Sequence, residues 1–503
     1  MCVEASAQIL QQSPYAPGER HIRVDAWDYE ADADAPTSFD LRNVGGSNYV
    51  TSVKYQGECG CCWAFATYGA MESNVLMQGG PYSDFSENNL KNRHGFDWGP
   101  CSGGSEELSI AYLSRLDGPG AEADDPYHDY DDRATAPTTI ARQRFLRDAN
   151  YYYNSADIKQ AIMSKGALYT GMYYSDYYYH SSDATYYYSG GASTNHDVAV
   201  VGWDDNKTTA GGTGAWLIKN SWSTSWGEDG YFWASYQDSK ICEVAVSLET
   251  DPADTVSDVY CHDRFGDISS LSVDYACNVF QAGAEEESLK SVGFYTHEDG
   301  ASYEIRVYND WVSGSPSGLL ASKSGTIERE GFHVVDLDSL VELDPNDEFA
   351  VYLYLSDNGD YPQSFDYAVA GYTSTSTASP GESFYSFNGS SWTDLTSYES
   401  TGNFCIKAYV TTPSDPVPGD ADNDGDVDAD DAEVLAGHWG QQLAGGASVG
   451  DFNGDGRINA LDASILSANW TGSLFETTAV PEPGVLVLVV TGFCFIVIRR
   501  RMK

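Results

Sequence analysis

Three short blocks, far apart in the chain, have to meet in space for any one of them to act. The first is Gln56-Gly57-Glu58-Cys59-Gly60-Cys61-Cys62-Trp63-Ala64-Phe65, in which a glutamine stands six residues before the second of two adjacent cysteines. The second is Asn195-His196-Asp197 and the third Lys219-Asn220-Ser221-Trp222, so that Cys62 precedes His196 by 134 residues and His196 precedes Asn220 by 24. A thiol is a poor nucleophile until it ionises, and a helix N-terminus and a neighbouring imidazolium both lower its pKa. In such chemistry Cys62 attacks a carbonyl carbon and His196 holds the ion pair, later protonating the leaving group. Asn220 fixes the tautomer and orientation of the imidazole, and the Gln56 amide donates to the developing oxyanion beside the backbone N–H of Cys62.

Together these blocks resemble the papain family of cysteine proteases, in which a local signature around the cysteine is joined by a His and an Asn far downstream. The similarity runs over roughly residues 36 to 250 and implies a two-lobe domain, a helical lobe and a β-barrel lobe with the cleft between them. It further implies that Trp222 covers the His196 to Asn220 hydrogen bond and that Cys59 and Cys101 close a disulfide. Gly103 and Gly104, lacking side chains, let a substrate backbone approach that wall of the cleft. Two residues depart from the family pattern. Cys61 takes a position usually held by Ser or Ala, and the offset from Gln56 and the following Trp63 select Cys62 over it as the nucleophile. Asp197 follows His196 where a small residue is usual, and would shift the titration of the imidazole if it points inward.

A chain of 503 residues exceeds one compact core, and 27 basic against 75 acidic residues leave a formal charge of −48. That surface repels nucleic acid and anionic lipid, so neither is an expected partner. An inferred Cys59 to Cys101 bridge calls for an oxidising compartment. Cys242, Cys261, Cys277 and Cys405 have the numbers for two further bridges, with three pairings open. Residues 1–35 carry no signal peptide; they read as a propeptide remnant or N-terminal extension whose true start lies upstream. Within the protease region, Asp157 to Lys165 reads as an amphipathic helix with Ile158, Ala161 and Ile162 on one side. The tyrosine-rich run from Tyr169 to Tyr188 reads as strand.

From residue 255 to 411 short alternating runs separated by turn residues predict a β-sandwich similar to the lectin-like domain that follows some bacterial papain-type proteases. Carbohydrate is the partner that this name suggests, with packing or spacing as the alternative role. After a linker at 412–419 comes an internal repeat: the acidic stretches beginning at Asp420 and Asp451 start 31 residues apart, and Asp431/Asp462, Leu435/Leu466 and Trp439/Trp470 keep that offset. Each stretch reads as a calcium loop. The ligands are Asp420, Asp422, Asp424, Asp426, Asp428 and Asp431 in the first. In the second they are Asp451, Asn453, Asp455, Arg457 through its carbonyl, Asn459 and Asp462. Paired half-hands of this kind, over 420–472, resemble dockerin modules, which implies Ca2+ and a cohesin-like protein partner.

The tail at 480–503 holds Val480-Pro481-Glu482-Pro483, an uncharged apolar stretch from Gly484 to Ile498 and an arginine cluster. It resembles the C-terminal sorting tag of exosortase-processed surface proteins and predicts an apolar helix at the membrane, with an ordinary tail anchor as the alternative. The fold class expected is therefore α+β, in a chain placed outside the cell or in the envelope. The activity the resemblance implies is peptide-bond hydrolysis, with no catalytic cofactor and polypeptides as substrates. An inactive adhesion or assembly protein and an acyl transferase are the rival readings.

Overall fold

The computed structural model describes residues 35–412, 417–422, 426–443 and 445–471, together with the strand fragments Leu10–Gln11, Val489–Val490 and Phe493–Cys494. It divides into two compact units, Met1–Thr411 and Thr412–Lys503. The N-terminal extension expected over 1–35 lies outside the described residues apart from its strand fragment.

In the first unit helix α1, Cys62–Met77, is mostly apolar or small, and each residue from Cys62 to Val75 is buried, Glu72 and Asn74 included. A helix without a polar face belongs inside a core. Ala64, Ala66, Gly69 and Ala70 let it sit close against the strands His196–Thr209, Ala245–Pro252 and Leu168–Met172. Helices α2, Glu87–Arg93, and α3, Glu106–Ser114, complete the helical side. Helix α4 spans Ser155–Lys165, starting two residues before the predicted Asp157 because the Asn154 side chain caps it by accepting from the Asp157 amide.

The strands of this lobe follow one another as Leu168–Met172, His196–Thr209, Gly212–Lys219 and Tyr231–Ser235, antiparallel throughout. On the other side Leu168–Met172 meets Ala245–Pro252, which pairs with Arg144–Tyr152. The sheet does not stop there. Arg144–Tyr152 also pairs with Gly331–Leu343, matching Asn150 with Gly331 and Asp148 with His333, and the ladder continues through Glu287–Thr296 and Lys407–Thr411 to Asp258–Tyr260. Thirteen strands thus form one sheet across the two segments. Trp63, Leu108 and Phe145 share a core with Phe265, Phe332, Tyr372 and Tyr409.

A second sheet of six strands, in the order Ser315–Thr326, Ser302–Val312, Glu348–Ser356, Tyr275–Gln281, Ser383–Ser386 and Trp392–Asp394, packs over the far part of the first. Leu289, Val292 and Phe294 face Ile305, Val307, Val351 and Leu353 across this core. This is the sandwich that the alternating runs predict. The two extra disulfides do not form: Cys242, Cys261, Cys277 and Cys405 are all free. Cys242, Cys277 and Cys405 pack in three separate apolar clusters, where they act as small hydrophobes.

In the second unit α5, Ala429–Gly437, and α6, Ala460–Ala468, begin at equivalent points of the repeat. Asp428 and Asn459 are the N-caps, each in a capping box closed by Asp431 or Asp462. Val427, Leu435, Ile458, Ala463 and Leu466 make the core, and the pairing is reciprocal. Thr471 N–H donates to the Val427 carbonyl and Gly440 N–H to that of Ile458, which are equivalent pairs 31 residues apart. Most of the apolar tail lies outside the described residues. The part that is described, Val489–Val490 with Phe493–Cys494, pairs as antiparallel strands where a helix was predicted. No helix among the described residues is long and apolar enough to cross a membrane.

Gly331 marks the point where the sheet crosses between segments: its φ is +148° and an added Cβ would fall 1.8 Å from the Ala149 carbonyl oxygen. Backbone cannot yield there, so Gly331→Ala should cost about 3 kcal/mol or more. Gly300→Ala, at positive φ but in open space, should cost about 1 kcal/mol. Urea unfolding midpoints of the two variants check the difference.

Candidate active site

Cys62 is the first residue of α1, and the N-cap before it, Cys61, makes no side-chain capping bond. The segment leading into the helix is tied down by the Cys59–Cys101 disulfide, with Cα atoms 4.6 Å apart, and by Gly103 N–H donating to the Gly60 carbonyl at 3.0 Å. Gly104 lies against the Trp63 indole, which a Cβ would meet at 2.4 Å, while Gly103 has open space beside it. The wall that sequence reasoning assigned to a passing substrate backbone is therefore close to the nucleophile and unobstructed at Gly103.

His196 opens the strand His196–Thr209, and Asn220 directly follows the neighbouring strand Gly212–Lys219. Their side chains meet: His196 Nε2–H donates to Asn220 Oδ1 at 2.8 Å. That bond puts the proton of the neutral ring on Nε2 and leaves Nδ1 as an acceptor. The Trp222 indole stacks on the imidazole at 4.5 Å between centroids and 24° between planes. Its Nε1–H donates to Gln56 Oε1 at 3.1 Å, where the Ser221 hydroxyl also donates at 2.6 Å. Gln56 Nε2 gives one hydrogen to the Cys59 carbonyl at 2.9 Å, which leaves the other for an oxyanion. One tryptophan thus orders both the imidazole and the amide.

The adjacent thiols are separated by orientation. Cys61 is wholly buried with Sγ 3.0 Å from the Tyr127 hydroxyl, which itself donates to the Gln56 carbonyl at 2.7 Å, and burial pushes the Cys61 thiol up to about 12. Cys62 keeps 7% of its surface exposed, and its thiol donates to Asp197 Oδ2 at 3.7 Å. Sequence reasoning expected the helix terminus to lower this thiol. Burial, followed by the Asp197 charge, raises it well above the usual cysteine range. Burial likewise lowers His196 to about 4 against the opposing pull of its Asn220 hydrogen bond, and raises Asp197 to about 7. Taken singly, thiol and imidazole are each held toward the neutral form.

Tyr127, Ser221 and the contact of Asp197 with the thiol escaped the sequence reading. Ser221 lay inside a quoted block, but Tyr127 sits in a loop with no pattern to mark it. In the second unit ligand oxygens of Asp420, Asp422 and Asp431, and of Asp426, Asp428 and Asp431, gather within 4.8 Å of one another, while Asp424 lies outside the described residues. Asp431 is buried with its oxygens met by the Ala421 and Asp428 amides, and Asp462 by those of Asn453 and Asn459. Asp451 accepts from the amides of Asp455 and Gly456, and the Arg457 carbonyl from Asn459 Nδ2. Buried carboxylates wrapped by such loops suit a hard divalent cation, which the sequence reading assigned as calcium.

Residues 35–250 match the family model described as papain family cysteine protease, residues 259–410 that of the lectin like domain and residues 418–470 that of the dockerin type I domain. Cathepsin S of Bos taurus is 30% identical over 215 residues, 42% of this chain and 63% of the relative. A cathepsin L-like proteinase of Fasciola hepatica is 33% identical over 227 residues, 43% and 66% respectively. The chain thus spans about three fifths to two thirds of the length of these curated relatives. Among solved structures, the cysteine protease and lectin-like domains of Cwp84, a surface layer associated protein of Clostridium difficile, superpose with a TM-score of 0.67 at 26% identity, covering 75% of this chain and 89% of that one. The clostridial cysteine protease Cwp84 after propeptide cleavage gives 0.66 at 26% identity, covering 75% of this chain and 99% of that one. The chain carries, in order, a papain-family segment, a lectin-like segment and a dockerin segment.

Alkylation separates the two thiols. Iodoacetamide followed by peptide mapping should modify position 62 in the native protein and in Cys61→Ser, and should find neither residue 61 nor 62 modified in folded Cys62→Ala. Modification of Cys61 in the native protein would move the reactive thiol by one residue.

Proposed function

We propose that the chain is an exported cysteine endopeptidase that hydrolyses peptide bonds through a thioester acyl-enzyme. The observation that supports this reading is the network around Cys62, whose thiol reaches Asp197, the residue after His196, while Trp222 joins the His196–Asn220 pair to the Gln56 amide, within a segment similar to cathepsins. In the reaction His196 Nδ1 takes the Cys62 proton as the sulfur adds to the carbonyl carbon. The free hydrogen of the Gln56 amide and the Cys62 backbone N–H receive the oxyanion. Collapse of the tetrahedral intermediate breaks the C–N bond, with the proton passing from His196 to the departing amine. Water, deprotonated by the same imidazole, then cleaves the thioester and restores the thiol. Trp222 keeps solvent from the imidazole, so that its bond to Asn220 holds orientation through both half-reactions.

Calcium has no part in these steps. Asp420, Asp422, Asp424, Asp426, Asp428 and Asp431 would hold one ion. Asp451, Asn453, Asp455, the Arg457 carbonyl, Asn459 and Asp462 would hold a second. Bound calcium neutralises the crowded carboxylates and orders the loops. The dockerin segment then presents a surface for a cohesin-like protein, and the lectin-like segment is the candidate contact to carbohydrate. We assign the whole to the cell envelope, with residues 480–503 as its sorting signal; the similarity to Cwp84, a surface layer associated protein, supports that location.

Cleavage of a peptide library by the purified chain tests the reading. Cys62→Ala should abolish turnover, and His196→Ala should lower kcat/KM by about a thousandfold or more. Asn220→Ala should lose less, because orientation is worth less than the proton transfer itself. Chelation should leave peptide hydrolysis unchanged while new proteolytic nicks open between residues 415 and 475. Nicking that ignores the chelator would remove calcium from the second unit.

A further inference from the structure

The loop at residues 122–137 contains neither helix nor strand, yet two carboxylates buried within it fasten it to α2. Asp125 accepts from Asn88 Nδ2 and from Asn89 Nδ2, each at 2.9 Å. Asp132 accepts from Asn88 Nδ2 at 2.9 Å and from Asn92 Nδ2 at 2.6 Å, and pairs with the Lys91 ammonium at 3.2 Å. Carboxylates taken out of water are tolerated only when bonded in this way, so the stretch between them is held in one conformation. That stretch faces the segment that enters α1.

Tyr127 makes the contact. Its O–H donates to the Gln56 carbonyl at 2.7 Å, and with that one hydrogen used, its oxygen accepts from the Cys61 thiol at 3.0 Å. Its ring meets Phe65 of α1 edge-on, 4.9 Å between centroids. Asp129 presses on the same segment: Gly57 has φ +62°, and a Cβ there would fall 2.4 Å from an Asp129 carboxylate oxygen. Gln56 carries one donor to the oxyanion in its side-chain amide. The peptide that joins Cys61 to Cys62 carries the other, and as the first residue of α1 Cys62 has no acceptor within the helix for its N–H. A single phenol therefore ties together the two pieces of chain on which the donors ride. Donors stabilise an oxyanion only where they already stand at hydrogen-bond distance from it, so the rate depends on their spacing.

We infer that Tyr127 is a positioning residue of the oxyanion hole: its hydroxyl fixes the spacing between the Gln56 amide and the Cys62 backbone N–H, and the loop anchored at Asp125 and Asp132 holds that hydroxyl in place. The inference rests on the endopeptidase reading and deepens it, since it assigns a role to a residue that takes no part in the proton transfers. It also separates two reactions of Cys62. Addition to a carbonyl builds an oxyanion and depends on the spacing. Alkylation by iodoacetamide displaces iodide from a saturated carbon, builds no oxyanion there and does not.

The test compares the full chain with Tyr127→Phe, Cys61→Ser and Cys61→Ala in turnover of a fluorogenic peptide, in inhibition by a peptide aldehyde of the same sequence and in alkylation of Cys62 by iodoacetamide. The hemithioacetal oxygen of the aldehyde adduct occupies the oxyanion hole. Tyr127→Phe should lower kcat by about tenfold or more with KM little changed, and should weaken aldehyde binding by a similar factor. Its alkylation rate should stay within about twofold of the native chain, which also shows that the variant is folded. Cys61→Ser still donates to the phenol and should keep most of the turnover, whereas Cys61→Ala should lose about threefold. Turnover and aldehyde binding unchanged in alkylatable Tyr127→Phe, or alkylation slowed as much as turnover, overturns the assignment while leaving the protease intact. Should Tyr127→Phe fail to fold, Cys61→Ala is compared with Cys61→Ser, and equal aldehyde affinity in the two overturns it. If the native chain is alkylated at Cys62 yet neither cuts peptides nor binds the aldehyde, the endopeptidase reading falls and this inference with it.

Discussion

Helix α1 is buried over almost its whole length, and the site inherits its properties from that. Its first residue, Cys62, keeps 7% of its surface exposed at the N-terminal end, while Leu76 and Met77 are partly exposed at the other. Enclosure brings ionisable neighbours along. Glu72, on the same helix, is buried with Thr51 donating to it, and Lys54 lies 3.2 Å from it and 2.7 Å from Glu87. Lys219, next to Asn220 in sequence, is buried and donates to Thr51 at 3.0 Å. A buried cation with a partner is tolerated, while one left alone costs several kcal/mol. These charges therefore fix how α1, α2 and the strand ending at Lys219 meet, and so where Cys62, His196 and Asn220 stand.

The same burial explains why the thiol rises where a helix terminus alone would lower it. The dipole of a terminus contributes about 0.3–1 kcal/mol at an exposed site, whereas loss of water can move a fully enclosed group by about 3–5 pH units. The larger effect wins. In the proposed reaction thiol and imidazole exchange one proton, and any neighbour that offsets a negative charge beside Cys62 tips that exchange toward the thiolate.

What could be read in the sequence was what local chemistry encodes. Cys62, His196, Asn220 and Gln56 sit in motifs whose residue types have few other uses in combination, and the 31-residue repeat by itself makes Asp431 equivalent to Asp462. The Cys59–Cys101 bridge followed from resemblance. Cys242, Cys261, Cys277 and Cys405 misled because pairing depends on distance, and counting cannot show that Cys242 and Cys277 belong to different cores. Tyr127 was invisible for the same reason. Its hydroxyl reaches Cys61 and the Gln56 carbonyl from a loop more than sixty residues on, a contact that only the folded chain creates.

The shared sheet bears on how the accessory segment serves the cleft. Because Arg144–Tyr152 is hydrogen-bonded to strands of both segments, the lectin-like part cannot swing as a tethered module without breaking a ladder and opening a common core. It also reaches toward the segment that leads to Gly103 and Gly104. Tyr372 packs on Phe96 and Trp98, its carbonyl accepts from Asp97 N–H at 2.9 Å, and the Ser374 hydroxyl donates to Asp97 at 2.8 Å. Two residues past Trp98 the chain enters Pro100 and Cys101, where the disulfide fastens this wall to the loop before the nucleophile. The wall is therefore held covalently from the front and by the lectin-like segment from behind. Gly103 and Gly104, which have no side chains of their own to pack, owe their position to those two supports.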